Sequence, residues 1–155
     1  MQYTQKDAVI SHCGQYRYTL VRVWDERLPK VMFVGLNPSV ADAERDDFTL
    51  KRCVAYARDW GYGGVLIGNL FAYRSTDPRA LKNARDPIGP ENDIWLKRLA
   101  DESEIVVAAW GNHGTFMHRG EAVRKLVPRL HYLALTQKGE PHHPRGLPNE
   151  LKPRL

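Results

Sequence analysis

Chemistry in this chain of 155 residues concentrates where apolar runs give way to polar turns. Val31 to Val34 run without alternation into Gly35, and a turn opens at Asn37-Pro38-Ser39. Gly35 allows close backbone approach, Pro38 stiffens the turn, and Asn37 offers an amide that can donate and accept. A second run, Val65-Leu66-Ile67, ends in Gly68-Asn69, and a third, Ile105 to Trp110, ends in Gly111-Asn112-His113-Gly114. His142-His143 stand in a proline-rich tail with Arg145-Gly146-Leu147. Each feature also has a plainer reading: an Asn-Pro turn, an amide satisfying a strand end, exposed turn histidines, and Trp110 as core.

The elements that would position these residues follow from periodicity. Short apolar runs bounded by turn residues read as strands buried on both faces. Between the first two, Leu50, Cys53, Val54, Ala57 and Trp60 fall on one helical face that Gly61 stops. Asp46 or Asp47 can cap that helix, which explains the pair with less assumption than catalytic carboxylates do. Strand, helix and strand then form a βαβ unit with Asn37 and Asn69 at one rim, where ligands bind in open α/β sheets.

Further on, Phe71 to Pro87 is a long aromatic and basic loop that includes Tyr73 and Arg74. Gly89-Pro90 opens a helix with Ile94, Trp95 and Leu99 on its apolar side. A weaker helix with Met117, Ala122, Val123 and Leu126 is stopped by Pro128, and Tyr132–Leu135 is the fourth strand. Upstream, residues 1–15 show no period, whereas Tyr16, Tyr18 and Leu20 alternate with Arg17 and Thr19. Tyr16–Trp24 is therefore expected to pair with the first buried strand as an antiparallel edge. The expected fold is a single α/β domain over residues 1–155. It is a three-layer α/β/α arrangement around a mainly parallel four-stranded sheet with an N-terminal antiparallel edge strand.

Composition is that of a globular protein, with 43% hydrophobic and 26% charged residues. No apolar window reaches membrane length and the N-terminus shows no signal pattern, so a cytoplasmic protein without a membrane partner is expected. The two cysteines, Cys13 and Cys53, lack metal-site spacing and read as reduced thiols. His113 and His118 are spaced i, i+5, poor for a shared helical site, so no metal is assigned. A net charge of +5 suits an anionic partner.

The four strand-end and tail motifs together resemble the uracil-DNA glycosylase superfamily: VGLNPS its first motif, VLIGNL its second strand, IVVAAWGNHG its third, and HHPRGL its last. The chain also resembles the DUF1643 family, which has similar Leu-Asn-Pro-Ser, Asn-Leu and His-Pro elements. The first resemblance implies a glycosylase-like fold and a cofactor-independent hydrolase acting on the N-glycosidic bond of uracil-like or mismatched bases in DNA. Under it, Asn37 matches the residue that holds the attacking water, Asn69 the base-reading amide, His143 the carbonyl-polarising imidazole, and Leu147 the wedge into the duplex. Gly35, Pro38, Ser39, Trp110 and Gly111 would line the base pocket, and Arg74 and Arg145 would meet nucleic acid. Phe48, Phe71 and Tyr73 are candidates for an aromatic floor. Ser39 stands where the uracil-specific branch has a bulky aromatic, and Arg145-Gly146 replaces Ser-Pro.

An amide does not protonate usefully, so Asn37 can only orient water, whereas a neutral His143 could donate to a base carbonyl. Two other functions fit the same residues: a module that binds a nucleotide, single strand or modified base without cleavage, and a hydrolase or transferase acting on free nucleosides or nucleotides. A monomer is expected.

Overall fold

The computed structural model describes residues 2–155. Its core is a six-stranded sheet in the order β1-β2-β4-β3-β5-β6. The strands are β1 (Gln5–Ile10), β2 (Arg17–Val23), β3 (Lys30–Gly35), β4 (Gly64–Asn69), β5 (Ile105–Ala108) and β6 (Leu130–Tyr132). β3, β4, β5 and β6 are mutually parallel, while β1 and β2 are antiparallel to each other and β2 to β4. Three α-helices cross between strands: α1 (Phe48–Asp59), α2 (Asn92–Glu102) and α3 (Arg119–Leu126).

Alternation along the parallel strands divides the core in two. Val31, Phe33, Val65, Ile67 and Val107 pack with α1 residues Leu50, Cys53, Val54 and Ala57. Met32, Val34, Leu66, Val106 and Ala108 pack with Leu96 and Leu99 of α2 and Val123 of α3. The sheet is thus covered on both faces, which is why its central strands read as unbroken apolar runs. Gly68 permits the close seating of α2, since a Cβ there would stand 2.7 Å from Leu96 Cδ2.

The four parallel strands stand as expected, but the antiparallel part does not. Residues 5–10 form the edge strand β1, and β2 lies inside the sheet against β4 rather than at an edge against β3. The alternating pattern of β2 misled because its burial is nearly continuous, including the charged Arg17 and Arg22. Smaller shifts follow from packing. The third strand ends at Ala108 and the last strand is Leu130–Tyr132 rather than Tyr132–Leu135. In α2 it is Leu96 that is buried while Ile94 is exposed, and Met117 lies exposed in a kinked 3-10 segment ahead of α3.

Connections from β3 and β5, which are neighbours, diverge: β3 leads through α1 to β4 on one side, and β5 leads through α3 to β6 on the other. That divergence is a topological switch point, and the crevice beyond its strand ends is the favoured place for a ligand in an open parallel sheet.

Candidate functional site

A cavity of about 300 Å³ opens at this switch point. Its walls include Gly35, Leu36, Asn37, Pro38 and Ser39 beyond β3, Asn69 at the end of β4, and Ala109, Trp110 and Gly111 beyond β5. Leu50 and Cys53 of α1, Arg17 and Leu20 of β2, Asp47, and His143 with Pro144 also line it, as do Asn112 and His113. A wider vestibule lies outside, lined by Phe48, Ser75, Thr76 and Arg145, and it shares Asn37, Ser39, Asp47 and His143 with the cavity.

Asn37 is held by the loop after β4. Its Nδ2 donates to the carbonyls of Ser75 (3.0 Å), Pro38 (3.2 Å) and Tyr73 (3.3 Å). With the amide hydrogens so engaged, the side chain offers Oδ1, an acceptor, rather than the two-way amide expected from sequence. The turn itself is fixed by Ser75 N donating to Pro38 O at 2.9 Å.

Asn69 lies opposite Gly35 in the parallel register of β3 and β4. A Cβ on Gly35 would stand 2.8 Å from Asn69 Oδ1, so the glycine makes room for the carboxamide rather than for a ligand. Asn69 is 4% exposed, and its Nδ2 has no hydrogen-bond partner among the described residues. Its backbone is better served: the fully buried Asn92 donates from Nδ2 to the carbonyls of Asn69 and Leu70, both at 3.0 Å. Arg119 adds a 2.9 Å bond to Leu70 O while its Nη2 pairs with Asp93 at 2.6 Å. These contacts fix the strand end that carries Asn69.

His143 reaches the rim because the tail is stitched to the sheet. Gly111 N donates to Pro141 O at 2.7 Å and His142 N to Ala134 O at 2.8 Å. Gly111 has φ +75°, a left-handed conformation suited to glycine, where the chain turns beyond β5. Arg145 N donates to His143 Nδ1 at 3.0 Å, so Nδ1 is the acceptor and the ring proton belongs on Nε2. Burial, reinforced by the neighbouring Arg145 and His142, holds the His143 pKa below its ordinary value. The group is therefore a neutral N–H donor at neutral pH.

Two charged residues that the sequence did not assign to the site stand beside these. Asp47 caps α1 through Oδ1, which accepts from Leu50 N at 2.9 Å, and its Oδ2 makes no hydrogen bond among the described residues. Its capping role was legible, but its place on the cavity depends on how α1 packs. Arg17, the first residue of β2, is 4% exposed yet lines the cavity because β2 runs antiparallel and so begins at the carboxyl rim of the parallel strands. Its alternating neighbours gave no sign of this. Cys53 also lines the wall, but burial pushes its thiol up, away from a thiolate.

The cavity brings together Gly35, Asn37, Pro38, Ser39, Asn69, Trp110, Gly111 and His143. Phe48 and Arg145 stand at the vestibule, with the Arg145 guanidinium 5.4 Å from the Phe48 ring centroid. Three expected residues lie elsewhere. Phe71 is fully buried in the α2 and α3 core, with Phe116 tilted against it at 5.5 Å. Arg74 does not line the cavity, and its Nη1 donates to Gly14 O at 3.3 Å. Leu147 packs against the α1 core, and its carbonyl accepts from Arg52 Nη2 at 2.7 Å. Phe33 and Trp110 are the aromatic residues that line the cavity instead of Phe71 or Tyr73, and the buried Trp110 indole donates from Nε1 to Glu140 Oε1 at 3.1 Å.

A family model described as a protein of unknown function, DUF1643, matches residues 17–145. The chain belongs to the DUF1643 family. The segment shared with DUF1643 runs from Arg17 to Arg145 and so contains every residue that lines the cavity, while the edge strand β1 lies outside it. No curated protein and no solved structure matches the chain.

Proposed function

We propose that the cavity receives a nucleobase and that the protein hydrolyses the N-glycosidic bond of a uracil-like or mismatched base in DNA, on a glycosylase-like version of the α/β fold. The observation that carries this reading is the polar set on one cavity: the Asn37 carbonyl with its amide hydrogens engaged, the His143 imidazole held as an Nε2–H donor, and the Asn69 amide without a partner. A pyrimidine edge offers carbonyls to the His143 and Asn69 donors, which leaves the Asn37 carbonyl to hold water. The apolar walls, including Leu20, Phe33, Leu50 and Trp110, suit a planar ring.

In this mechanism the nucleotide leaves the stack at a cost of a few kcal/mol. Water hydrogen-bonds to Asn37 Oδ1, and the free Oδ2 of Asp47 takes its proton as the water oxygen bonds to C1′ of the sugar. The C1′–N bond breaks and its electron pair leaves with the base. His143 and Asn69 donate hydrogen bonds to the carbonyl oxygens on which the departing charge collects. The base is then protonated from solvent, and Asp47 returns to solvent the proton it took from the water. Asp47 thus supplies a base that Asn37 by itself cannot be.

Ser39, which lines both cavity and vestibule, leaves space where a larger side chain would press on the pyrimidine. One extra methyl group in such an open site costs only about 1–3 kcal/mol, so selectivity should follow ease of flipping more than ring substitution. The test is incubation with duplexes carrying U·G, U·A, hypoxanthine and ethenocytosine, with released base and abasic sites both measured. Release from mismatched duplexes, lost in His143→Ala and narrowed toward uracil in Ser39→Tyr, is expected. If the wild-type protein binds these duplexes but releases no base, the cleavage step is wrong and a binding module remains.

A further inference from the structure

Three arginines are buried in this fold: Arg17, Arg22 and Arg119. Burying a guanidinium is costly unless an anion and hydrogen-bond acceptors compensate it. Arg22 has both, with Asp46 Oδ1 at 2.9 Å and the carbonyls of Val21, Asp42 and Arg45 around the rest of the fork. Arg119 has Asp93 at 2.6 Å and the Leu70 carbonyl. Arg17 has a single bond, Nη1 to Ala41 O at 3.0 Å, and no carboxylate within salt-bridge distance among the described residues. Its Nε is buried without a partner. Desolvation lowers its pKa to about 10, with Asp47 the strongest opposing charge, so the guanidinium is still ionised at neutral pH.

Four buried side-chain atoms lack partners among the described residues, and the two that belong to residues of the cavity wall are both donors, Arg17 Nε and Asn69 Nδ2. We infer that Arg17 and Asn69 form a binding site for an oxyanion, a carboxylate or phosphate carried by a small ligand of nucleobase or nucleotide size. The planar guanidinium fork fits either group with two parallel hydrogen bonds, and an anion there supplies the countercharge that Arg22 and Arg119 find inside the protein. This inference concerns what the cavity holds and stands whether or not a glycosidic bond is cut.

Calorimetric titration of the full chain with matched pairs tests it: 2′-deoxyuridine 5′-monophosphate against 2′-deoxyuridine for the phosphate arm, and orotate against uracil for the carboxylate arm. In at least one arm the charged member should bind about tenfold or more tightly than its neutral counterpart, the scale expected of a charge-assisted pair. Arg17→Met should bring that ratio close to one and leave the neutral member's affinity in place, whereas Arg145→Met at the vestibule should not. In the wild-type protein the Nε–H resonance of Arg17 should move on saturation with the charged probe while those of Arg22 and Arg119 stay. Equal binding within both pairs, no binding of either charged probe, a ratio that survives Arg17→Met, or an unmoved Arg17 signal at saturation would each overturn the inference. The last reading applies even if Arg17→Met fails to fold.

Discussion

Side-chain roles at the rim divide by which hydrogens are already spent. Asn37 Nδ2 serves three backbone carbonyls, so Asn37→Ala removes a structural donor along with the Oδ1 acceptor. A loss of about 1–3 kcal/mol in denaturant unfolding is expected. Asn37→Asp should cost more, because a carboxylate would face the same carbonyls; equal stability of the two variants would contradict this arrangement. For His143 the sign of the pH effect follows from its lowered pKa. Its unfolded form takes up a proton at higher pH than the folded form, so its contribution to stability is full above 6.5 and is lost as pH falls through the folded value. Protonation would also place a hydrogen on Nδ1 and break the bond from Arg145 N. Base release should therefore fall only as pH drops below the ordinary histidine range, and His143→Gln should retain partial activity without that titration. A profile falling through an ordinary or raised pKa would count against the fixed tautomer. Asn37, Asn69 and His143 were legible because each follows an apolar run or a His-Pro turn. Arg17 was not, because the identity of a strand's neighbours is invisible in its own alternation.

Backbone elements, more than side chains, decide where the Asn69 carboxamide lies. Gly35→Ala in a strand would ordinarily be favourable by about 0.5–1 kcal/mol, since glycine has the greater entropy to lose. Here the new methyl group would stand 2.8 Å from Asn69 Oδ1 and displace the amide. The expected outcome is a nearly unchanged melting temperature with ligand affinity reduced about tenfold, the loss of one good polar contact. A variant that melts much earlier, or binds normally, would show that Gly35 has another task. Asn92→Leu removes both bonds to the end of β4 and should destabilise the protein by about 1–3 kcal/mol, measurable in urea. Helix α1 and the three buried strands could be read from periodicity and capping residues alone. β1 could not, because its six residues, Gln5 to Ile10, are a half-exposed edge without a clear repeat.

At the scale of the molecule, the sheet order gathers one cavity from residues more than one hundred positions apart, between Arg17 and His143. The tail completes it through long-range clamps: Tyr56 Oη donates to Pro148 O at 2.6 Å and Trp60 Nε1 to Leu151 O at 2.9 Å. Motif order along the chain foretold that the Asn and His residues share a rim. It did not foretell the clamps, which need α1 and the tail side by side. Under the proposed function, the net charge of +5 and Arg145 at the vestibule should make the encounter with DNA salt-dependent, with log affinity falling linearly with log salt by about 0.9 per phosphate contact. Insensitivity to salt would point to a small ligand alone. The central claim is that the strand-end cavity recognises a nucleobase, and the side-chain amide of Asn69 reports on it directly. In a nitrogen-15 NMR titration with 2′-deoxyuridine, the Asn69 amide signals and the His143 ring Nε2 signal should shift together and saturate, while the buried Asn92 amide stays fixed. Saturable binding that moves surface signals and leaves Asn69 and His143 where they are would contradict the account.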